Sequence, residues 1–97
     1  MGLDIYITRH AFRAGSYSWF SDFRSRLFKY RKIKGMEVLL DHSDCDGNIS
    51  TEDCKLLRVA LLNVYKKERD GDLGPTLMLW IDALTVAIRE GGILEFA

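Results

Sequence analysis

The residues best suited to chemistry lie in an acidic segment at the middle of the chain. Residues 42–53 follow the frame of a twelve-residue calcium loop, in which alternate oxygen ligands surround a hard cation and a glycine at position six permits a sharp bend. Gly47 takes that sixth position, and the candidate ligands are His42, Asp44, Asp46, Asn48, Ser50 and Asp53. The spacing predicts an EF-hand-like loop with weak affinity for calcium.

Two positions depart from this frame. His42 stands first, where an acid is usual, and Asp53 stands last, one methylene shorter than the usual glutamate. A turn at Asp46-Gly47, followed by Ser50 as a helix N-cap, explains the same residues without an ion. We therefore expect no resident cofactor and keep calcium as the alternative.

A softer set of ligands overlaps this segment. His42, Cys45 and Cys54 could hold zinc, with His10 or an acid as the fourth ligand. Their spacing matches no standard zinc pattern, so calcium remains the preferred metal for this segment.

A second candidate site is a basic stretch with interleaved aromatic residues. Between Arg24 and Lys34 the chain has no acid, and its bases are Arg24, Arg26, Lys29, Arg31, Lys32 and Lys34. Such a surface could bind an acidic protein, an anionic membrane face or nucleic acid. It could equally be a solvated basic face over an aromatic core. We expect a protein partner, contacted by Asp44, Asp46, Arg24, Arg26, Arg31 and Lys32.

The charges of the whole chain are divided unevenly. The formal net charge is zero. Residues 1–34 nevertheless hold eight bases and two acids, and the remainder holds six bases and twelve acids. This asymmetry hints at an interaction surface, although the two halves could also neutralise each other in the fold. The zero net charge argues against a dedicated nucleic-acid binder.

No arrangement of residues typical of an enzyme is present. The two histidines, His10 and His42, lie in no recognised nucleophile motif, and no glycine-rich phosphate loop follows a strand. We predict a protein that is not an enzyme. No apolar run reaches the ~20 residues of a membrane span, and no secretory signal is recognisable. We therefore expect a cytoplasmic location, no membrane partner and reduced cysteines.

The elements that would position these residues follow from hydrophobic periodicity. Alternation predicts a strand over 3–9, with a break at 14–16. Helical spacing predicts helices over 17–31, 50–68 and 75–90, the second of them buried on most sides. Residues 36–40 and 93–96 are expected to be extended. The whole predicts one α+β domain over 1–97, with a small sheet of two or three strands, including both terminal strands, packed with three helices.

Two segments carry a resemblance. The opening residues 1–6, and the run His42–Gly47 with the following Ser50–Cys54, resemble small uncharacterised proteins of bacteriophages and mobile elements. The resemblance implies a phage accessory protein that binds a host protein stoichiometrically, including inhibition of a host defence system. The expected location is then the cytoplasm of the host cell.

Overall fold

A computed structural model describes residues 2–7, 10–42 and 47–96. Its helices are α1 (Tyr17–Leu27), α2 (Glu37–Leu40), α3 (Thr51–Glu68) and α4 (Gly74–Arg89), with a 3-10 turn, Phe28–Tyr30, continuing α1. Its strands are β1 (Gly2–Ile7), β2 (His10–Ser16), β3 (Asn48–Ile49) and β4 (Leu94–Phe96). The predicted α+β class is confirmed.

The strands form one antiparallel sheet in the order β2-β1-β4-β3. Ile5 of β1 lies opposite Phe96 of β4, so the prediction that both terminal strands belong to the sheet is confirmed. With four strands among the described residues, the sheet is larger than predicted, because β2 and β3 were not expected.

The predicted break at residues 14–16 is wrong, since these residues belong to β2. Leu3 pairs with Gly15 and Asp4 pairs with Arg13, which leaves Ala14 as the extra residue of a bulge. A bulge lets a strand continue through a glycine by bending locally. Pairing with β1 therefore outweighs the local tendency of these residues to form a turn.

The predicted extended run at 36–40 is also wrong, because this segment contains the short helix α2. Met36 and Leu39 are fully buried, and Leu40 is half-buried. Their spacing of three and four residues places them on one side of a helical turn. The Glu37 carboxylate also accepts a hydrogen bond from the Gly35 amide at 2.8 Å, which stabilises the start of the turn.

The core contains an aromatic cluster between the sheet and two helices. Trp80 of α4 stacks on Phe20 of α1, with ring centroids 5.6 Å apart, and lies 5.8 Å from Phe96 of β4. Phe23 completes the cluster at 6.4 Å from Trp80. Phe20, Phe23 and Leu27 are fully buried and form the apolar face of α1.

Helices α3 and α4 pack against each other. The predicted start of α3 is confirmed, because Ser50 precedes it and accepts a hydrogen bond from the Asp53 amide at 3.2 Å. The expectation that α3 is buried on most sides is wrong, since Leu56 and Val59 are exposed. None of the helices formed by the described residues combines the length and the apolar character that a membrane crossing requires.

Candidate partner-binding surface

The acidic loop is described at its two ends. Asp44 and Asp46, which the sequence predicts both as metal ligands and as partner contacts, lie outside the described residues, as does Cys45. Gly47 has a φ of +93°, the left-handed conformation that suits a glycine at a sharp bend. The bend predicted at the sixth position of the frame is therefore present.

His42 lies at the N-terminal end of the loop and contacts Asn48 and Phe96. Its Nε2 lies 3.0 Å from the Asn48 carbonyl oxygen, and its ring packs on Phe96 with centroids 4.1 Å apart. In a calcium loop, the carbonyl of the seventh residue is itself a ligand. Here that carbonyl, which belongs to Asn48, faces the His42 ring.

The last two candidate ligands lie at the start of α3. Ser50 caps the helix through its hydroxyl, and Asp53 is exposed in the first turn, where its charge suits the helix dipole. Over residues 2–7, 10–42 and 47–96, no three His, Cys, Asp or Glu side chains are grouped as a metal site would need. Calcium binding depends on Asp44 and Asp46 and stays a prediction.

Cys54, the cysteine considered for zinc, is a buried thiol on the first turn of α3. Its Sγ donates to the Ile49 carbonyl at 3.7 Å. Burial raises the pKa of this thiol from 9.0 to about 11. A metal ligand must be a thiolate, so this environment favours a structural role for Cys54.

We expect Cys54 to resist alkylation in the folded protein. At pH 8 the raised pKa reduces the thiolate fraction by roughly 100-fold, and burial slows access further. A Cys45→Ser variant leaves Cys54 as the only cysteine, and its reaction with iodoacetamide can be followed by mass spectrometry. Equal rates in the folded chain and in urea would contradict the buried, protonated thiol.

Arg24, a predicted partner contact, is turned toward the fold. Its guanidinium donates to the His42 carbonyl and lies 4.6 Å from the centroid of the Phe20 ring. These two contacts connect α1 to the start of the acidic loop. Arg24 therefore positions the loop, and less of its charge is presented to a partner than the sequence suggested.

The neighbouring bases are mostly exposed. Arg26 lies 3.9 Å from Asp72, in an exposed pair that contributes little. Lys29 lies 3.2 Å from Glu68, which also accepts a hydrogen bond from Tyr30 at 3.0 Å. The hydrogen bond from Tyr30 contributes most to lowering the pKa of the Glu68 carboxyl group, followed by the hydrogen bond from Lys29. The hydrogen bond to Glu68 in turn raises the pKa of the Lys29 ammonium group.

Phe28 is an exposed aromatic residue, with 57% of its surface accessible. The Arg31 guanidinium lies 4.6 Å from the ring centroid and donates to the Phe28 carbonyl at 3.2 Å. Lys32 follows Arg31 in the chain and is also exposed. Of the predicted contacts, Arg31 thus lies beside an exposed aromatic ring.

A pocket of about 420 Å³ adjoins this ring. It is lined by Ser21, Arg24, Ser25, Phe28 and Leu40. We call the exposed surface formed by Ser21, Ser25, Phe28, Arg31 and Lys32 the Phe28 face. A signal for it existed in the sequence, because Phe28 falls outside the buried series Phe20, Phe23 and Leu27.

Comparison of the chain with protein-family models, with curated proteins and with solved structures gives no significant match. The function is therefore inferred from the surface of this chain.

Proposed function

We propose that this protein acts by binding a protein partner at a fixed stoichiometry, through the Phe28 face, without catalysing a reaction. The observation that carries the proposal is the Phe28 ring, exposed to 57% and stacked with Arg31. The resemblance to phage accessory proteins suggests a host protein as the partner, and blockade of a host defence component is the outcome that such binding would produce.

The residue types at this surface support protein recognition. Aromatic residues and arginine are enriched among the side chains that dominate binding energy at interfaces. Phe28 offers apolar area, while Arg31 is held beside it by the ring and by the Phe28 carbonyl. Because Arg31 is partly preorganised, less conformational entropy is lost when it binds. The adjoining pocket could receive a side chain of the partner.

The charge of the surface indicates the character of the partner. Arg31 and Lys32 are exposed, and among the described residues neither of them forms an ion pair. The chain from Arg24 to Lys34 has no acid to neutralise them. An acidic surface with an apolar projection would be complementary to the Phe28 face, and opposite charges would speed its association.

Nucleic acid is the second candidate for the same face. An exposed ring beside an arginine can stack on a base, and the surrounding cations can contact phosphates. The chain as a whole has no net positive charge, however, which favours the protein partner. The two candidates are separated by the experiment below.

The test compares the wild type with Phe28→Ala and Arg31→Glu as immobilised baits in bacterial lysates. We expect one protein to be retained by the wild type and lost with both variants. The purified pair should form a complex of fixed stoichiometry in native mass spectrometry. Loss of a dominant contact should weaken affinity by roughly 30-fold or more.

Arg89→Glu is the matched control, because it reverses an exposed arginine on α4, outside the Phe28 face. It should retain the partner. Retention that is equal in all four proteins would exclude the Phe28 face from binding. Fluorescence anisotropy with labelled oligonucleotides completes the test: a salt-dependent signal lost in Phe28→Ala would support nucleic acid instead of protein.

A further inference from the structure

The outward side of α3 presents an unusual stripe to solvent. Residues spaced three and four apart on a helix share a face. On α3 these are the exposed residues Glu52, Lys55, Leu56, Val59, Asn63 and Lys66. We call this surface the α3 stripe. It lies on the helix surface away from the buried residues Leu57, Ala60, Leu61 and Val64.

The centre of the α3 stripe is apolar. Leu56 is 39% exposed and Val59 is 59% exposed. Together with Ile33 and Lys34 they line a groove of about 440 Å³ between α3 and the turn that precedes α2. Apolar side chains grouped on a surface and rimmed by polar residues are typical of a contact site.

The charges at the two ends of the stripe have a two-fold pattern. Glu52 and Lys66 each lie seven residues from Val59, in opposite directions along α3. At 1.5 Å per residue, each is about 10 Å from Val59 along the helix axis. The acidic end and the basic end are therefore equidistant from the apolar centre.

We propose that the α3 stripe binds a second copy of this chain, with the two α3 helices antiparallel and the two-fold axis near Val59. A two-fold contact uses the same surface twice and needs a self-complementary pattern. In this arrangement Glu52 of each copy faces Lys66 of the other, and the two Val59 side chains meet at the axis. Two ion pairs then flank one apolar contact.

The charge of the surroundings agrees with this arrangement. The Oε1 atom of Glu52 lies 3.2 Å from the ammonium group of Lys55 in the same chain, in an exposed pair. The second carboxylate oxygen of Glu52 can still pair with Lys66 of the second copy. The formal net charge of the chain is zero, so two copies experience no overall repulsion at neutral pH. A single helix stripe buries little area, which places the dimer in the class of weak, reversible contacts.

Sedimentation velocity over a range of concentrations tests the dimer. The wild type should shift from monomer to dimer as concentration rises. Glu52→Lys alone and Lys66→Glu alone should each weaken association roughly 10-fold or more, because both flanking pairs become repulsive. Val59→Lys should prevent association by placing two charges at the axis. All three positions are exposed, so circular dichroism should show intact folds.

An equimolar mixture of Glu52→Lys and Lys66→Glu gives the decisive result. In a heterodimer of these variants, the lysine introduced at position 52 of one chain faces the glutamate introduced at position 66 of the other. The second contact joins the two unchanged residues, Glu52 and Lys66, so both contacts regain opposite charges. The mixture should therefore associate more tightly than either variant alone.

Two results would overturn the dimer. One is a wild type that stays monomeric to millimolar concentration, and the other is a dimer that none of these substitutions weakens. Neither result bears on the Phe28 face, whose residues are not in the α3 stripe.

Discussion

Replacement of Trp80 by alanine is expected to lower the free energy of unfolding by about 3–5 kcal/mol, the usual range for removing a buried aromatic side chain. Trp80 is fully buried and contacts the rings of Phe20, Phe23 and Phe96. These contacts join α4 to α1 and to β4. The cavity left by alanine would therefore weaken the packing of α1, α4 and β4 against one another. Urea denaturation monitored by circular dichroism would measure the decrease in the free energy of unfolding.

Trp19→Ala is the matched control, since Trp19 is 41% exposed and lies 5.8 Å from the Phe23 ring. It should cost about 1 kcal/mol, the central value for single substitutions. If Trp80→Ala cost no more than Trp19→Ala, the aromatic cluster would not be the centre of the core.

Trp80→Phe separates packing from hydrogen bonding at the same position. Among the described residues, the Trp80 Nε1 is buried and has no acceptor. A buried donor without a partner costs about 1–3 kcal/mol. Phenylalanine removes that donor while keeping much of the aromatic volume, so this variant should lose well under half as much stability as Trp80→Ala.

The longer elements could be predicted because their signals are local. Helix α3 begins where Ser50 can cap it, and its buried residues Cys54, Leu57, Ala60, Leu61 and Val64 recur at helical spacing. The terminal strand was recognised from its own short apolar run, and a partner for it was expected because a short strand is not stable alone. In each case the information lies within a few residues of the element.

The elements that were missed depend on contacts distant in sequence or on very short patterns. Strand β2 contains Gly15 and forms because β1 is available as its partner. Helix α2 spans four residues, too few for periodicity to distinguish it from a strand. Neither the length of the apolar run nor the propensity of its residues shows that residues 10–16 form a strand or that residues 37–40 form a helix.

Only part of the candidate surface could be predicted, because the rest depends on contacts between residues distant in sequence. The sequence identified the basic stretch, but exposure depends on which side chains the fold buries. Arg24 has as its partner the carbonyl of His42, eighteen positions away, whereas Phe28 lies outside the buried face of α1. Sequence spacing therefore identified the charge of the surface, whereas tertiary packing determines that the Phe28 ring is exposed.

Gly35→Ala is expected to destabilise the protein by about 2–5 kcal/mol, through a strained backbone and a steric clash. Gly35 has a φ of +103°, and a Cβ added there would lie 2.4 Å from the Leu56 carbonyl oxygen. That oxygen belongs to the backbone of α3, so it cannot move without disturbing the helix. Chemical denaturation of the variant, compared with the wild type, measures the combined cost.

Gly91→Ala isolates the clash from the strain. Gly91 also has a positive φ, +63°, but a Cβ there would have no atom within 4 Å. It should cost only the left-handed backbone penalty of about 1–2 kcal/mol. The excess cost at Gly35 then reports how closely the turn before α2 approaches α3. Because Ile33 and Lys34 of that turn form one wall of the groove beside Leu56, an alanine at position 35 should also widen the groove. Equal costs at the two glycines would mean that the turn can move away from α3, and that the groove has no fixed width.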